Sequence, residues 1–276
     1  MSYGKIYETT YWGVGRDNDI GWGNVYKDLG VSTDADYQAV LDKGTTEGYT
    51  LPSASQQEHQ NTLVTDLKSA GVWSKLDVLY VFATDGDSNF ATLNFKSPSS
   101  YQATKVNAPT HSANGFTGEN SAQRHLDTNF NPATASSPNF VSGDGSVGVY
   151  IKTASSVNAQ CYFGNDINGT TMREGSTDKL QTKPVGIAGN SDNQLAYFTH
   201  TDANESVQIW DTTVKVTDAT EGSVADRGNF AILAEGTSGT STRYSVATIG
   251  LFFIGSAIAD SERTDLYNAI NTYMTA

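Results

Sequence analysis

The chain is predicted to be mostly β, with two antiparallel sheets packed as a sandwich, a packing helix ahead of them and a second helix closing the chain. Three observations carry that expectation. Short apolar runs recur between clusters of Gly, Asn, Asp and Ser with no helical pattern between them, which favours packed antiparallel sheets over strand–helix alternation. Of 276 residues, 26 are Gly and only 17% are charged, a turn-rich composition. The single cysteine, Cys161, permits no internal disulfide, so stability must come from core burial, which a chain of this length can supply.

In chain order, residues 1–50 are expected to form an irregular attachment segment and residues 51–276 the sandwich with its flanking helices. Trp12-Gly13 recurs as Trp22-Gly23 between Tyr11 and Tyr26. Large rings beside Gly, with too little local chain to bury them, suit anchors that dock on a partner or neighbouring subunit. Packing back onto the chain's own C-terminal domain is the alternative. Asp34 to Lys43 suits a short helix with Tyr37, Val40 and Leu41 on one face. Pro52 opens the clearest helix. Ser55 with Glu58, or Ser53 with Gln56, caps it; Leu63, Val64, Leu67 and Ala70 form its stripe; Gly71 ends it. Burying the three larger side chains contributes about 1.5–3 kcal/mol each, and Val72, Trp73 and Leu76 continue the seam.

Strands follow. Leu76 to Thr84 is almost wholly apolar, as a central sandwich strand would be. Phe90 to Lys96, Ser146 to Lys152, Gln160 to Phe163, Leu195 to His200, Val207 to Thr212 and Phe230 to Glu235 are each bounded by turn residues. Thr242 to Ile254 is long enough to bend at Gly250. The last helix is capped by Asp260 or Ser261 and buries Leu266, Ala269, Ile270, Tyr273 and Met274.

The run Tyr244 to Glu262, followed by Leu266 to Met274, resembles the end of a laminin-G-like jelly roll of the concanavalin A type. In such domains an aromatic-Gly core strand runs into a Leu-Ser/Ala-Asp-x-Glu-like helix start, and here Ile258 stands in the Leu position. Ser55 through Tyr80 looks like the lead-in of such domains in bacteriophage virion proteins. The Trp-Gly repeat resembles attachment segments of phage tail and head fibres. The resemblance spans roughly two thirds of the chain, and its motifs specify fold better than function. It implies a homo-oligomeric virion part, dimer or trimer, that meets other virion proteins through Tyr11, Trp12, Gly13, Trp22, Gly23 and Tyr26. Assembly inside the bacterial cytoplasm is expected, because no apolar stretch follows the charge in Met1 to Tyr7 as a signal peptide requires.

The net charge of −13 argues against nucleic acid and against anionic membrane surfaces. The longest apolar run, Ile249 to Ile258, is too short to span a bilayer. Cys161 sits in a strand-like run and reads as a buried thiol rather than a nucleophile. The four histidines, His59, His111, His125 and His200, show no zinc spacing. Asp85, Asp87 and Asn89 alternate as at the start of a calcium loop, but Phe90 and Lys96 occupy the positions where that loop needs Gly and Glu. A solvated turn is the simpler expectation there, and calcium is the one metal the sequence admits.

Gly143, Gly145 and Gly148 match a dinucleotide-binding spacing in letters only, since a strand follows where a helix is required. No nucleophile elbow occurs. Glu205, Glu221 and Glu235 fall in separate elements and read as solvated charges rather than a glycosidase pair. Non-catalytic sugar binding asks for an aromatic face with polar neighbours. Tyr162 with Asn165 and Asp166, Trp210 with Asp211, and Tyr197 with Asn193 meet that requirement in composition, although each ring also suits the core. The expectation is a non-catalytic virion structural or adhesion protein that displays its sandwich, with host surface glycan as a partner. A glycan depolymerase and a stand-alone lectin are the alternatives.

Overall fold

The computed structural model describes residues 32–141, 143–155, 161–165, 171–173, 180–181, 191–202, 205–218, 228–236 and 243–276. Tyr11, Trp12, Gly13, Trp22, Gly23, Tyr26 and Asp166 lie outside these described residues. Its helices are α1 (Ala35–Thr46), α2 (Ala54–Ser69) and α3 (Arg263–Met274). The strands are β1 (Leu76–Val81), β2 (Thr104–Val106), β3 (Thr110–Ser112), β4 (Gly115–Thr117), β5 (His125–Asp127), β6 (Gly145–Thr153) and β7 (Cys161–Gly164). They continue with β8 (Thr171–Arg173), β9 (Leu180–Gln181), β10 (Gln194–Asp202), β11 (Glu205–Trp210), β12 (Thr213–Asp218), β13 (Ala231–Ile232) and β14 (Thr248–Gly255).

One sheet runs β12-β11-β10-β6-β14-β4-β3, with β1 also on β14; the other runs β2-β5-β13-β7-β8-β9. Every described pairing is antiparallel, as expected. The helices make a third layer. On β1, Val78 and Tyr80 enter the inter-sheet core with Phe116, Leu126, Phe163 and Phe252. Leu79 and Val81 enter the opposite core with Leu63, Leu67, Leu266 and Ile270. Both faces of the first sheet are covered, which is why β1 is apolar at successive positions rather than at alternate ones. The packed unit begins at Thr33 and so includes α1, whose Tyr37, Val40 and Leu41 are buried in the helix-side core.

Local chemistry sets the element ends. Ser53 caps α2 by accepting from the Gln56 amide at 3.3 Å, the second of the two predicted registers. At α3 the predicted Asp260 or Ser261 cap is absent. Glu262 stands at the cap without a side-chain bond into the helix, and instead accepts from the Ala259 amide and pairs with Lys75. The five residues predicted for the buried face of α3 are its buried residues.

Phe90 to Lys96 is not a strand. It is a short 3-10 turn, Phe90–Thr92, followed by extended chain. Asp87 Oδ1 accepts from the Asn89 and Phe90 amides and bends the chain there. Asn94 Oδ1 then takes the amides of Leu79 and Lys96, so a side chain replaces part of a ladder. The predicted strand at Phe230 to Glu235 is cut to Ala231–Ile232 because Leu233 is left-handed (φ 68°). The bend in the last strand lies where predicted. The register of β14 on β6 shifts between Ile249 and Leu251, and the Gly250 carbonyl accepts from the Phe82 and Ala83 amides.

The glycine spacing is a turn into a strand. Gly143 has φ 78°, while a Cβ on Gly148 would lie 2.5 Å from both Tyr197 Cβ and Phe253 Cε1. Close packing of side chains from the two flanking strands of the same sheet, not phosphate binding, requires that glycine.

Candidate functional site

β2 is an edge of one sheet and β3 an edge of the other, and only Asn107 to Pro109 separate them. The chain therefore changes sheets at this side of the sandwich. A groove of about 520 Å³ opens there, lined by Ser88, Lys105, Ala108, Pro109 and His111.

Each wall has a local cause. Lys105 lies opposite Leu126 in the β2–β5 pairing, so it shares the inward face of its sheet. Leu126 is buried, but at the sheet edge the longer Lys105 side chain reaches across to the loop after β1. Its Nζ donates to Ser88 Oγ at 2.8 Å and Asn89 Oδ1 at 2.7 Å. Asn107 and Ala108 are both left-handed (φ 56° and 55°), which redirects the chain from one sheet to the other. Asn tolerates that conformation; in Ala it costs about 1–2 kcal/mol. The Asn107 side chain holds the turn by donating to the Gln123 carbonyl at 3.3 Å.

His111 forms the far wall, with its ring centroid 4.8 Å from that of Phe116. Its Nε2 lies 3.0 Å from the Phe82 carbonyl oxygen. A carbonyl only accepts, so Nε2 carries the proton and Nδ1 is left as an acceptor on the neutral ring. Burial pushes the imidazole below its ordinary range; the nearby Lys105 charge adds to this, and together they outweigh the Phe82 carbonyl and Asp87. Ser88 accepts from Lys105 and so keeps its own O–H as a donor. The groove thus offers an ammonium, a hydroxyl donor and an imidazole acceptor, and no carboxylate is among its lining residues.

The Asp85–Asn89 loop, expected as a solvated turn with calcium as the alternative, is held by hydrogen bonds. Asp85 Oδ1 accepts from the Ser53 amide and Asp87 Oδ2 from the Thr50 amide, while Asn89 Oδ1 faces the Lys105 ammonium. No group of three or more His, Cys, Asp or Glu poised to hold a metal occurs among the described residues.

The proposed glycan platforms are corrected by burial. Tyr162 is fully buried in the inter-sheet core, and Trp210 is only 4% exposed, so neither ring presents a face to solvent. Asn165 is buried as well, and Tyr197 packs against Phe253 under the helices. Glu235, read as a solvated charge, is buried and paired with Arg243 at 2.8 Å. Cys161 is buried, and the His125 ring packs on Tyr244. No sequence motif marked the groove, because its walls come from two strands of different sheets and a loop. The one available signal is Asn107-Ala-Pro109, a turn-prone cluster directly after Val106.

No protein-family model matches the chain, and no curated protein matches it in sequence. Among solved structures, a mutant of Trypanosoma rangeli sialidase displaying trans-sialidase activity is similar at 11% identity and a TM-score of 0.53, over 86% of this chain and 39% of that one. Trypanosoma rangeli sialidase in complex with sialic acid aligns at 10% identity and 0.50, over 75% and 38%. The botulinum neurotoxin serotype D binding domain aligns at 9% identity and 0.50, over 71% and 52%. The fold is a jelly-roll-like β-sandwich. This chain spans from 38% to 52% of the lengths of those solved chains, and a likeness at such identity concerns the sandwich alone.

Proposed function

We propose that this chain is a non-catalytic, glycan-binding β-sandwich carried on a bacteriophage virion. Its N-terminal Trp-Gly segment holds it to other virion proteins, and its edge groove meets host surface glycan. The edge groove carries this reading: donors and an acceptor for sugar hydroxyls stand together in an open depression lined without a carboxylate. An open groove gives weak contacts. Repetition of the chain as a dimer or trimer around a particle multiplies them through avidity. The attachment role rests on the resemblance of the Trp12-Gly13 and Trp22-Gly23 repeat to fibre segments.

Particles lacking this protein, mixed with the full chain or with its Trp12→Ala, Trp22→Ala form, test the attachment. Retention of the unaltered chain alone is expected, and equal retention of both contradicts it. Incubation with host surface glycan tests the other half. Retention of the glycan with its chain length unchanged is expected, whereas shortening of the chains would make the protein a depolymerase.

A further inference from the structure

We propose that the edge groove selects a carboxylate-bearing saccharide, with Lys105 taking the carboxylate and Ser88 and His111 taking hydroxyls. The proposal rests on the glycan-binding reading of this groove and names its ligand class. An ammonium has three donors. In Lys105 two are engaged by neutral oxygens, Ser88 Oγ and Asn89 Oδ1, and no described carboxylate lies within ion-pair distance of it. The charge is therefore held in place without being cancelled.

The charge of Lys105 acts on Asp87, whose oxygens already accept from the amides of Thr50, Asn89 and Phe90. Asp87 steadies the loop and leaves the third ammonium donor for a ligand. Two neutral acceptors at 2.7 and 2.8 Å also fix the position of Nζ, so little side-chain freedom remains to be lost on binding. The rest of the lining matches a sugar ring beside its carboxylate. Ser88 supplies a hydroxyl donor and His111 an acceptor, while Ala108 and Pro109 give a small apolar floor for C–H faces. The protein's net charge of −13 repels dense polyanions, which favours a saccharide with spaced carboxylates over a sulfated or phosphorylated polymer.

The test is a titration of the full chain with three probes: a tetrasaccharide alternating a uronic acid with a neutral hexose, the same tetrasaccharide with its carboxyls reduced to alcohols, and a glutamate-bearing peptide. The acidic tetrasaccharide should bind about tenfold more tightly than the reduced one, the size of one charge-assisted hydrogen bond. Lys105→Gln should erase that preference while keeping the weaker binding of the reduced form, with near-ultraviolet circular dichroism confirming that the variant is folded. Ser88→Ala should weaken both sugars alike. Equal binding of acidic and reduced forms by the unaltered chain overturns the carboxylate claim and leaves the glycan reading standing. A preference that survives Lys105→Gln overturns the assignment to Lys105. Peptide bound as tightly as acidic sugar overturns the saccharide class, and failure of both sugars to bind overturns the glycan reading itself.

Discussion

Lys105 Nζ and Asn89 Oδ1 stand 2.7 Å apart and tie the edge strand of one sheet to the loop leaving the other. This bridge closes the side of the sandwich where an apolar pair would leave the groove greasy and a carboxylate would cancel the charge. Asn89→Ala should lower the unfolding free energy by roughly 0.5–1 kcal/mol, the net value of an exposed hydrogen bond, and should weaken glycan binding several-fold by freeing the ammonium. Urea denaturation beside a binding titration checks both effects.

Asp87 makes the same loop sensitive to acid. Burial works to raise its carboxyl, but the amides of Phe90, Thr50 and Asn89 and the charge of Lys105 together hold it below the ordinary 3.8. A depressed carboxyl contributes stability above its unfolded pKa, and that contribution is lost as pH falls through the folded value. Asp87→Asn should therefore cost about 1–2 kcal/mol at neutral pH. The gap between the two proteins should narrow below about pH 4. Melting temperatures of both proteins across the acid range would show it.

Gln60 is the buried hub between helices and sheet. Tyr37 donates to its Oε1 at 2.8 Å, and its Nε2 donates to Tyr273 and Thr84, each at 3.2 Å. Gln60→Leu strands the buried Tyr37 hydroxyl and should cost about 2–3 kcal/mol. Adding Tyr37→Phe removes the stranded group and should recover part of the loss. A double-mutant cycle by chemical denaturation measures that coupling.

Gly148 sits where Tyr197 and Phe253 close over β6, and any Cβ meets them at 2.5 Å. Gly148→Ala should destabilise by roughly 1–3 kcal/mol through forced displacement of packed neighbours. Removing a ring beside it, as Phe253→Leu in the Ala background, should return part of that loss in the same denaturation assay.

What the sequence made legible is what periodicity records. The stripes Leu63, Val64, Leu67 and Leu266, Ala269, Ile270 are repeating patterns long enough to name a buried face, and both faces are buried. β2 to β5 have three residues each and carry no such pattern, so the sheet edges that frame the groove were not seen. Phe90 to Lys96 has the composition of a strand because Phe90, Leu93 and Phe95 are apolar for the sake of the helix-side core, while Asp87 and Asn94 decide the backbone by side-chain bonds. Tyr162 and Trp210 have sugar-binding composition, but whether a ring is covered depends on a layer contributed by distant chain. Lys105 fails in the opposite sense. Its role comes from Ser88 and Asn89, which only the fold places beside it.

The most direct measurement is amide chemical-shift mapping of the full chain during titration with the uronic-acid tetrasaccharide. The account predicts that Ser88, Asn89, Lys105, Ala108 and His111 shift together and saturably. Shifts confined to another face, such as Asp66, Asn268 and Thr272 between α2 and α3, would contradict the assignment of the groove, and an unchanged spectrum would contradict glycan binding.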